Sequence, residues 1–370
     1  MEGRGGGAEV QAWLLARELA RRGNAVSYVA QSVQGKAGQE EVLDGVRLRW
    51  VRYAHHFRWA NGIDYYRALS VLNPDVVIQR MTSFITGVAG LYCKRHKKRF
   101  VWICTDNQAP ARWSHWRNQV RVNREQHINM AKRIVFLANA FIYDMARHWG
   151  MKQVTHPFTQ NDFQRKILAE SFGMDSHRMI SGHEPPKNSI PPEERLVKGI
   201  VLWVASLSPR KRPEKFLELA RMNQNSGLRF VMIGGRLDKA YIDVLFQDKT
   251  DNVEWLGQLP FDETLEWFDQ AMFFVNTSEA EGFPNTFIQA WLRGVPVFSL
   301  GVDPNGVIQR NNLGCVAETV QGLFQNLKSL SKKVDAYSKM SVDARKYGLA
   351  HHAVKKMVDH FLSSISDQES

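Results

Sequence analysis

The chain has 370 residues, too many for one compact core and enough for two domains. Its composition is ordinarily globular, 44% apolar and 23% charged, without low-complexity tracts or repeats of solenoid length, which excludes fibrous and disordered classes. The net charge of +12 is one-sided: residues 1–195 carry 29 Lys and Arg against 17 Asp and Glu, and residues 196–370 carry 20 against 20. A basic first half points to an anionic partner, with a membrane surface, a lipid diphosphate or an acidic glycan ahead of nucleic acid, for which no binding motif is present. Cys93, Cys104 and Cys315 are far apart and lack metal-ligand spacing, so a reducing, cytoplasmic setting is expected. The longest apolar run, residues 134–143, is too short to span a bilayer.

The chain opens with Gly5-Gly6-Gly7 and a helical pattern in which Val10, Trp13, Leu14 and Leu19 share a face. Gly23 closes that helix, and residues 25–30 read as a strand. Strands are predicted at 46–53, 74–80 and 99–107. Long helices studded with Arg112, Arg117, Arg121, Arg124, Lys132 and Arg133 follow over 110–150, interleaved with Trp113, Trp116 and Phe136. A basic, aromatic amphipathic surface suits the inner face of a membrane. A strand and helix are expected over 154–173. The segment 183–199, rich in proline, reads as a stiff linker.

Beyond the linker, strands at 200–204, 229–235, 252–260 and 271–276 alternate with helices and end in glycine-containing turns, the pattern of a doubly wound parallel sheet. The most informative stretch is Thr277-Ser278-Glu279-Ala280-Glu281-Gly282-Phe283-Pro284-Asn285. It joins a buried strand to a helix that runs toward Gly294. Such a junction presents unpaired N–H groups and the positive end of the helix dipole, which bind phosphates. Glu281 fits there by accepting hydrogen bonds from hydroxyls beside the phosphate. Hydroxyls next to a diphosphate describe a nucleotide sugar.

The run SEAEGFPNTFIQAWLRGVPV resembles the donor-site signature of family 4 glycosyltransferases, a retaining group with the GT-B fold. The resemblance implies an α/β protein of two Rossmann-like, doubly wound parallel-sheet domains facing a cleft. It assigns residues 1–182 to acceptor binding, 200–345 to the nucleotide-sugar donor, and 346–370 to a terminal helix crossing back to the first domain. It implies that Lys211 and Glu281 act in catalysis, and that Ser206, Arg210, Gly234, Gly235, Gly282, Phe283, Pro284, Asn285 and Gln289 bind the donor, with Arg212 a further candidate for the diphosphate. On the acceptor side it points to Gly6, Gly7 and Asp106. The sequence departs from the pattern at Ser206, where the family carries Arg, and at Gln289, where it carries a second Glu. The family also places a strand before the first glycines, and only three residues precede Arg4 here.

The expected activity is metal-independent transfer of a sugar, with retention, from a nucleotide sugar to a glycan or lipid-linked acceptor in polysaccharide or surface-glycan assembly. No cofactor is expected beyond the donor substrate. Histidines such as His351 and His352 are expected at the surface. The rival reading is a degenerate, non-catalytic transferase acting as a binding subunit. A nucleotide-sugar epimerase would need acid–base residues that the motifs do not supply.

Overall fold

A computed structural model describes residues 7–32, 35–52, 61–125, 129–235 and 239–366. The chain divides into two compact units. One comprises Ala8–Met179 with Val358–Ser370; the other comprises Ile180–Met357 together with the first seven residues.

The N-terminal unit runs α1 (Gly7–Arg21), β1 (Ser27–Ser32), β2 (Glu40–Leu43), β3 (Val46–Arg52), α2 (Asn61–Leu72), β4 (Val76–Arg80), α3 (Ile85–His96), β5 (Arg99–Ile103), α4 (Ser114–Glu125), α5 (Met130–Met151), β6 (His156–Thr159), α6 (Asp162–Phe172) and β7 (His177–Arg178). Its strands form two sheets, β1-β3-β2 and the parallel β4-β5-β6-β7, and β1 and β4 are edges. Trp13, Ala16, Val46 and Leu48 form the core under the first sheet. Phe100, Trp102, Tyr92, Met151 and Leu168 form the core under the second. Helix α6 shows how local signals set boundaries. The Asn161 side chain accepts from Gln164 N at its start, and Gly173, at φ +68°, ends it in the left-handed conformation.

The C-terminal unit runs α7 (Pro192–Lys198), β8 (Ile200–Val204), α8 (Pro213–Met222), β9 (Arg229–Ile233), α9 (Lys239–Phe246), β10 (Val253–Trp255), α10 (Phe261–Gln270), β11 (Phe273–Asn276), α11 (Asn285–Leu292), β12 (Val297–Leu300), α12 (Val307–Arg310), β13 (Gly314–Ala317), α13 (Val320–Leu330) and α14 (Val334–His352). The six strands form one parallel sheet in the order β10-β9-β8-β11-β12-β13. Both faces are covered, so each strand is apolar on both sides. Val201 and Trp203 of β8 enter one core with Phe216, Phe230 and Tyr337; Ile200 and Leu202 enter the other with Phe268, Phe287 and Trp291.

Two expectations from the sequence are corrected. The proline-rich segment 183–199 is not a linker throughout. Pro192 occupies the first turn of α7, where its missing N–H is no loss. Arg195 of that helix is buried and donates to the carbonyls of Asp269 (3.1 Å), Gly294 (3.1 Å) and Arg293. The proline-rich composition therefore marks a helix start anchored in the C-terminal unit. The terminal helix does not begin at 346: α14 ends at His352, and a separate helix, α15 (Val354–Ser366), follows. From Val358 onward the chain belongs to the N-terminal unit, where Asp359 pairs with Arg22 at 2.8 Å and Phe361 lies 5.4 Å from Phe158. Among the described residues no helix is long and apolar enough to cross a membrane.

Candidate active site

Strand order reverses beside β8. The chain proceeds from β8 to β9 and β10 on one side, and then crosses to β11 on the other. In open parallel sheets this switch point, at the carboxyl ends of the strands, is where the following loops diverge and leave a crevice. The loops after β8 and β11 are the two that the sequence marked.

Backbone and side-chain bonds stitch these loops together. Thr277 Oγ1 donates to the Lys211 carbonyl at 2.7 Å and accepts from Trp203 Nε1 at 3.0 Å. The Glu279 amide donates to the Arg210 carbonyl at 3.0 Å. Arg212, at φ +48°, donates to the carbonyls of Thr277 (2.6 Å), Ser278 (3.1 Å) and Leu300 (3.0 Å). Arg212 is therefore held by the carbonyls at the ends of β11 and β12. Lys211 Nζ instead forms an ion pair with Glu281 Oε1, both side chains being only partly exposed. One cation and one carboxylate are thus fixed side by side at the switch point. Arg210 is exposed, its Nη2 3.4 Å from the Ala280 carbonyl, and Ser206 is exposed at the end of β8.

Gly234 and Gly235 follow β9, the strand on the other side of β8. The backbone of Gly234, at φ +148°, runs so close to Ala205 that a β-carbon would lie 1.7 Å from the Ala205 carbonyl oxygen. Only glycine fits there. The Gly234 amide donates to the Gly257 carbonyl at 2.7 Å, and its own carbonyl accepts from Trp255 Nε1 at 2.9 Å.

Glu281, Gly282 and Phe283 lead to buried Pro284, and α11 begins at Asn285. The first-turn amides of such a helix lack intrahelical acceptors and carry the positive end of its dipole. Gln289 lies one turn on, on the same face as Asn285, and is buried.

Beneath the motif sit two histidines that the sequence did not single out for this place. His352, expected at the surface, is buried: it ends α14, donates Nδ1–H to the Ser181 carbonyl at 2.9 Å, and lies 5.2 Å from the Phe283 ring. His183 bonds the Asn285 side chain, and its amide donates to the His352 carbonyl at 2.9 Å. Burial pushes His183 down to about 3 and His352 down to about 4, so both are neutral at physiological pH. The histidines themselves give no sign of this, because their neighbours come from distant sequence: His183 bridges Ala353, and His352 lies against Phe283 and Trp291.

Gly7, the first residue of α1, falls with the C-terminal unit, and Gly6 lies outside the described residues. Asp106 is a turn residue. Its Oδ1 accepts from the amides of Gln108 (2.8 Å) and Ala109 (2.9 Å), which ties it into the turn. Among the described residues no group of three or more His, Cys, Asp or Glu side chains is placed to hold a metal ion.

Two α/β units built largely on parallel strands, one carrying a cation–carboxylate pair at its switch point, have the architecture of the GT-B fold. Residues 198–333 match the family described as Glycosyl transferases group 1, and residues 5–157 match Glycosyltransferase Family 4. The chain belongs to this family of glycosyltransferases. No curated protein matches it in sequence. Among solved structures it is similar to Anabaena Alr3699/HepE in complex with UDP and glucose, with a TM-score of 0.72 at 11% identity over 99% of this chain and 98% of that one. It is similar to the sucrose-phosphate synthase of Thermosynechococcus elongatus, with a TM-score of 0.74 at 14% identity over 98% and 93%. It also resembles WaaG, a glycosyltransferase involved in lipopolysaccharide biosynthesis, with a TM-score of 0.66 at 15% identity over 96% and 95%.

Proposed function

We propose that the chain transfers a sugar, with retention and without a metal ion, from a nucleotide sugar to a glycan or lipid-linked acceptor in surface-glycan assembly. The observation that carries this reading is the Lys211–Glu281 pair at the switch point of the C-terminal sheet. Lys211 would neutralise the departing diphosphate with the α11 amides beside it, and Glu281 would accept hydroxyls of the sugar. The pair also favours catalysis over a purely non-catalytic role, since both partners of the charge apparatus are present and held by an ordered loop network. UDP is the first nucleotide to test, because HepE is described with UDP and UDP-glucose.

The reading is tested by thermal stabilisation against UDP-, GDP-, ADP- and dTDP-sugars in chelator, followed by NMR of the product's anomeric configuration. Stabilisation by one nucleotide, abolished in Lys211→Ala, supports it. An unstabilised wild-type chain, or an inverted product, overturns it.

Work at the inner face of a membrane is part of the proposal. It is supported by α5, where exposed Ile134, Phe141, Ile142, Met145 and Trp149 recur at helical spacing near the basic residues of α4, Arg117, Arg121 and Arg124. Flotation with anionic but not zwitterionic vesicles, lost on Ile142→Asp, is the expected behaviour. Equal flotation with both would remove this part.

A further inference from the structure

Arg80, the last residue of β4, is an unusual cation. The residue is half-buried, yet its Nε and Nη1 are buried and meet no hydrogen-bond acceptor. The groups that act on it electrostatically are Tyr28 of β1 and Cys104 beyond β5; no described carboxylate does. Burial lowers its pKa to about 10, which leaves it charged at neutral pH. An enclosed guanidinium without an anion is unfavourable, and buried donors in native proteins are almost always satisfied.

Three further features mark the same place. Arg80 stands at the carboxyl end of a parallel strand, paired in register with Ile103, which is where α/β sheets hold ligands. The next residue, Met81, has φ +76°, a conformation costly for a side chain with a β-carbon and one that collects at binding sites. Thr82 then presents a buried hydroxyl with no partner. Two unmatched donor side chains thus flank a strained residue at one strand end. Three other cations of this unit have carboxylate partners: Arg147 has Asp144, Arg165 has Asp175 and Lys98 has Asp75.

We propose that Arg80 and Thr82 form an oxyanion site in the N-terminal unit, taking a diphosphate group. Arginine suits phosphate oxygens because its planar donors can meet two of them at once. As a means of holding the acceptor, the site rests on the transfer reaction proposed above. As a binding site, it stands apart from Lys211 and Glu281.

The test uses the full chain and reads melting temperature and calorimetric affinity with inorganic pyrophosphate, farnesyl diphosphate in detergent, and UDP. The measurements are made in wild type, Arg80→Met, Arg80→Lys, Thr82→Val and Lys211→Ala. Pyrophosphate stabilisation should survive Lys211→Ala and weaken at least about tenfold in Arg80→Met, with smaller losses in Arg80→Lys and Thr82→Val. UDP binding should show the reverse dependence, so failure of the donor-site reading is visible separately. Without ligand, Arg80→Met should melt no lower than wild type, because it removes an unmatched buried charge. If Arg80→Met does not fold, Arg80→Lys and Thr82→Val carry the comparison. Farnesyl diphosphate binding tighter than pyrophosphate assigns the group to a lipid carrier, and equal binding assigns it to the free or sugar-linked anion. Diphosphate binding unchanged in Arg80→Met and Arg80→Lys, or a melting temperature several degrees lower in Arg80→Met with unchanged binding, would overturn the proposal.

Discussion

The Lys211 ammonium and the Glu281 carboxylate are paired across two loops that lie seventy residues apart in sequence. Each is the other's neutralising partner until a ligand arrives. On the proposed function, a bound diphosphate would compete with Glu281 for Lys211, and the sugar's hydroxyls would compete with Lys211 for the carboxylate. Lys211→Ala should lower kcat by about 10²–10³-fold through loss of charge at the leaving group. Glu281→Gln should act more on KM for the donor. Because the two residues touch, the double variant should lose less than the product of the single losses. Strict additivity in steady-state kinetics would show that the pair does not work as a unit.

A second expectation concerns glycine. Gly234→Ala would force a β-carbon against the Ala205 carbonyl and should destabilise the C-terminal unit by about 3 kcal/mol or more, or prevent folding. Gly227→Ala is the control. That residue also has positive φ, +73°, but nothing lies within 4 Å of the added carbon, so the cost should be about 1–2 kcal/mol. Denaturant unfolding of both variants separates crowding from backbone strain; equal effects would mean that Ala205 moves aside freely.

Arg212→Lys should be poorly tolerated although it keeps the charge. A lysine cannot reach three carbonyls in the geometry that the guanidinium spans. The expected result is a faster protease cut within residues 205–212 and a higher KM for the donor, with little change in overall helix content. A variant that behaves like wild type in limited proteolysis would show that the Thr277 bonds suffice to hold the loops.

Acid should weaken the C-terminal unit. The folded pKa values of His183 and His352 lie below the unfolded value near 6.5, so the unfolded chain binds more protons at lower pH. Their contribution is intact above pH 6.5 and is lost as pH falls toward 4, on the order of 3 kcal/mol each by pH 4. Replacing both by Gln should flatten the stability profile between pH 6.5 and 4. An unchanged slope in urea titrations would place the acid sensitivity elsewhere.

The strand-turn-helix around Glu281 was legible because its signals are local: an apolar run, a glycine and proline turn, a helical repeat and a terminating glycine. Lys211 was singled out through the family resemblance of the loop after β8, and its ammonium lies against Glu281. What escaped were contacts to backbone. Nothing in the residues around Arg212 says that it will meet the ends of β11 and β12, since those carbonyls come from distant sequence. Thr277 likewise looks like any polar residue after a strand until Trp203 and the Lys211 carbonyl are seen on either side of it. The proline-rich stretch misled for a related reason. Proline both stiffens linkers and starts helices, and only the carbonyls awaiting Arg195 distinguish the two.

The return of the chain at Val358 has a consequence for biosynthesis. Residues 8–179 are made well before Asp359, Phe361 and His360, which bonds the Arg178 carbonyl at 2.7 Å. Until α15 has been made, the patch around Arg22, Phe158 and Arg178 stays uncovered. Of the two units, the one begun first is therefore completed second, and a nascent chain stalled before α15 should be a better chaperone substrate than its length alone implies.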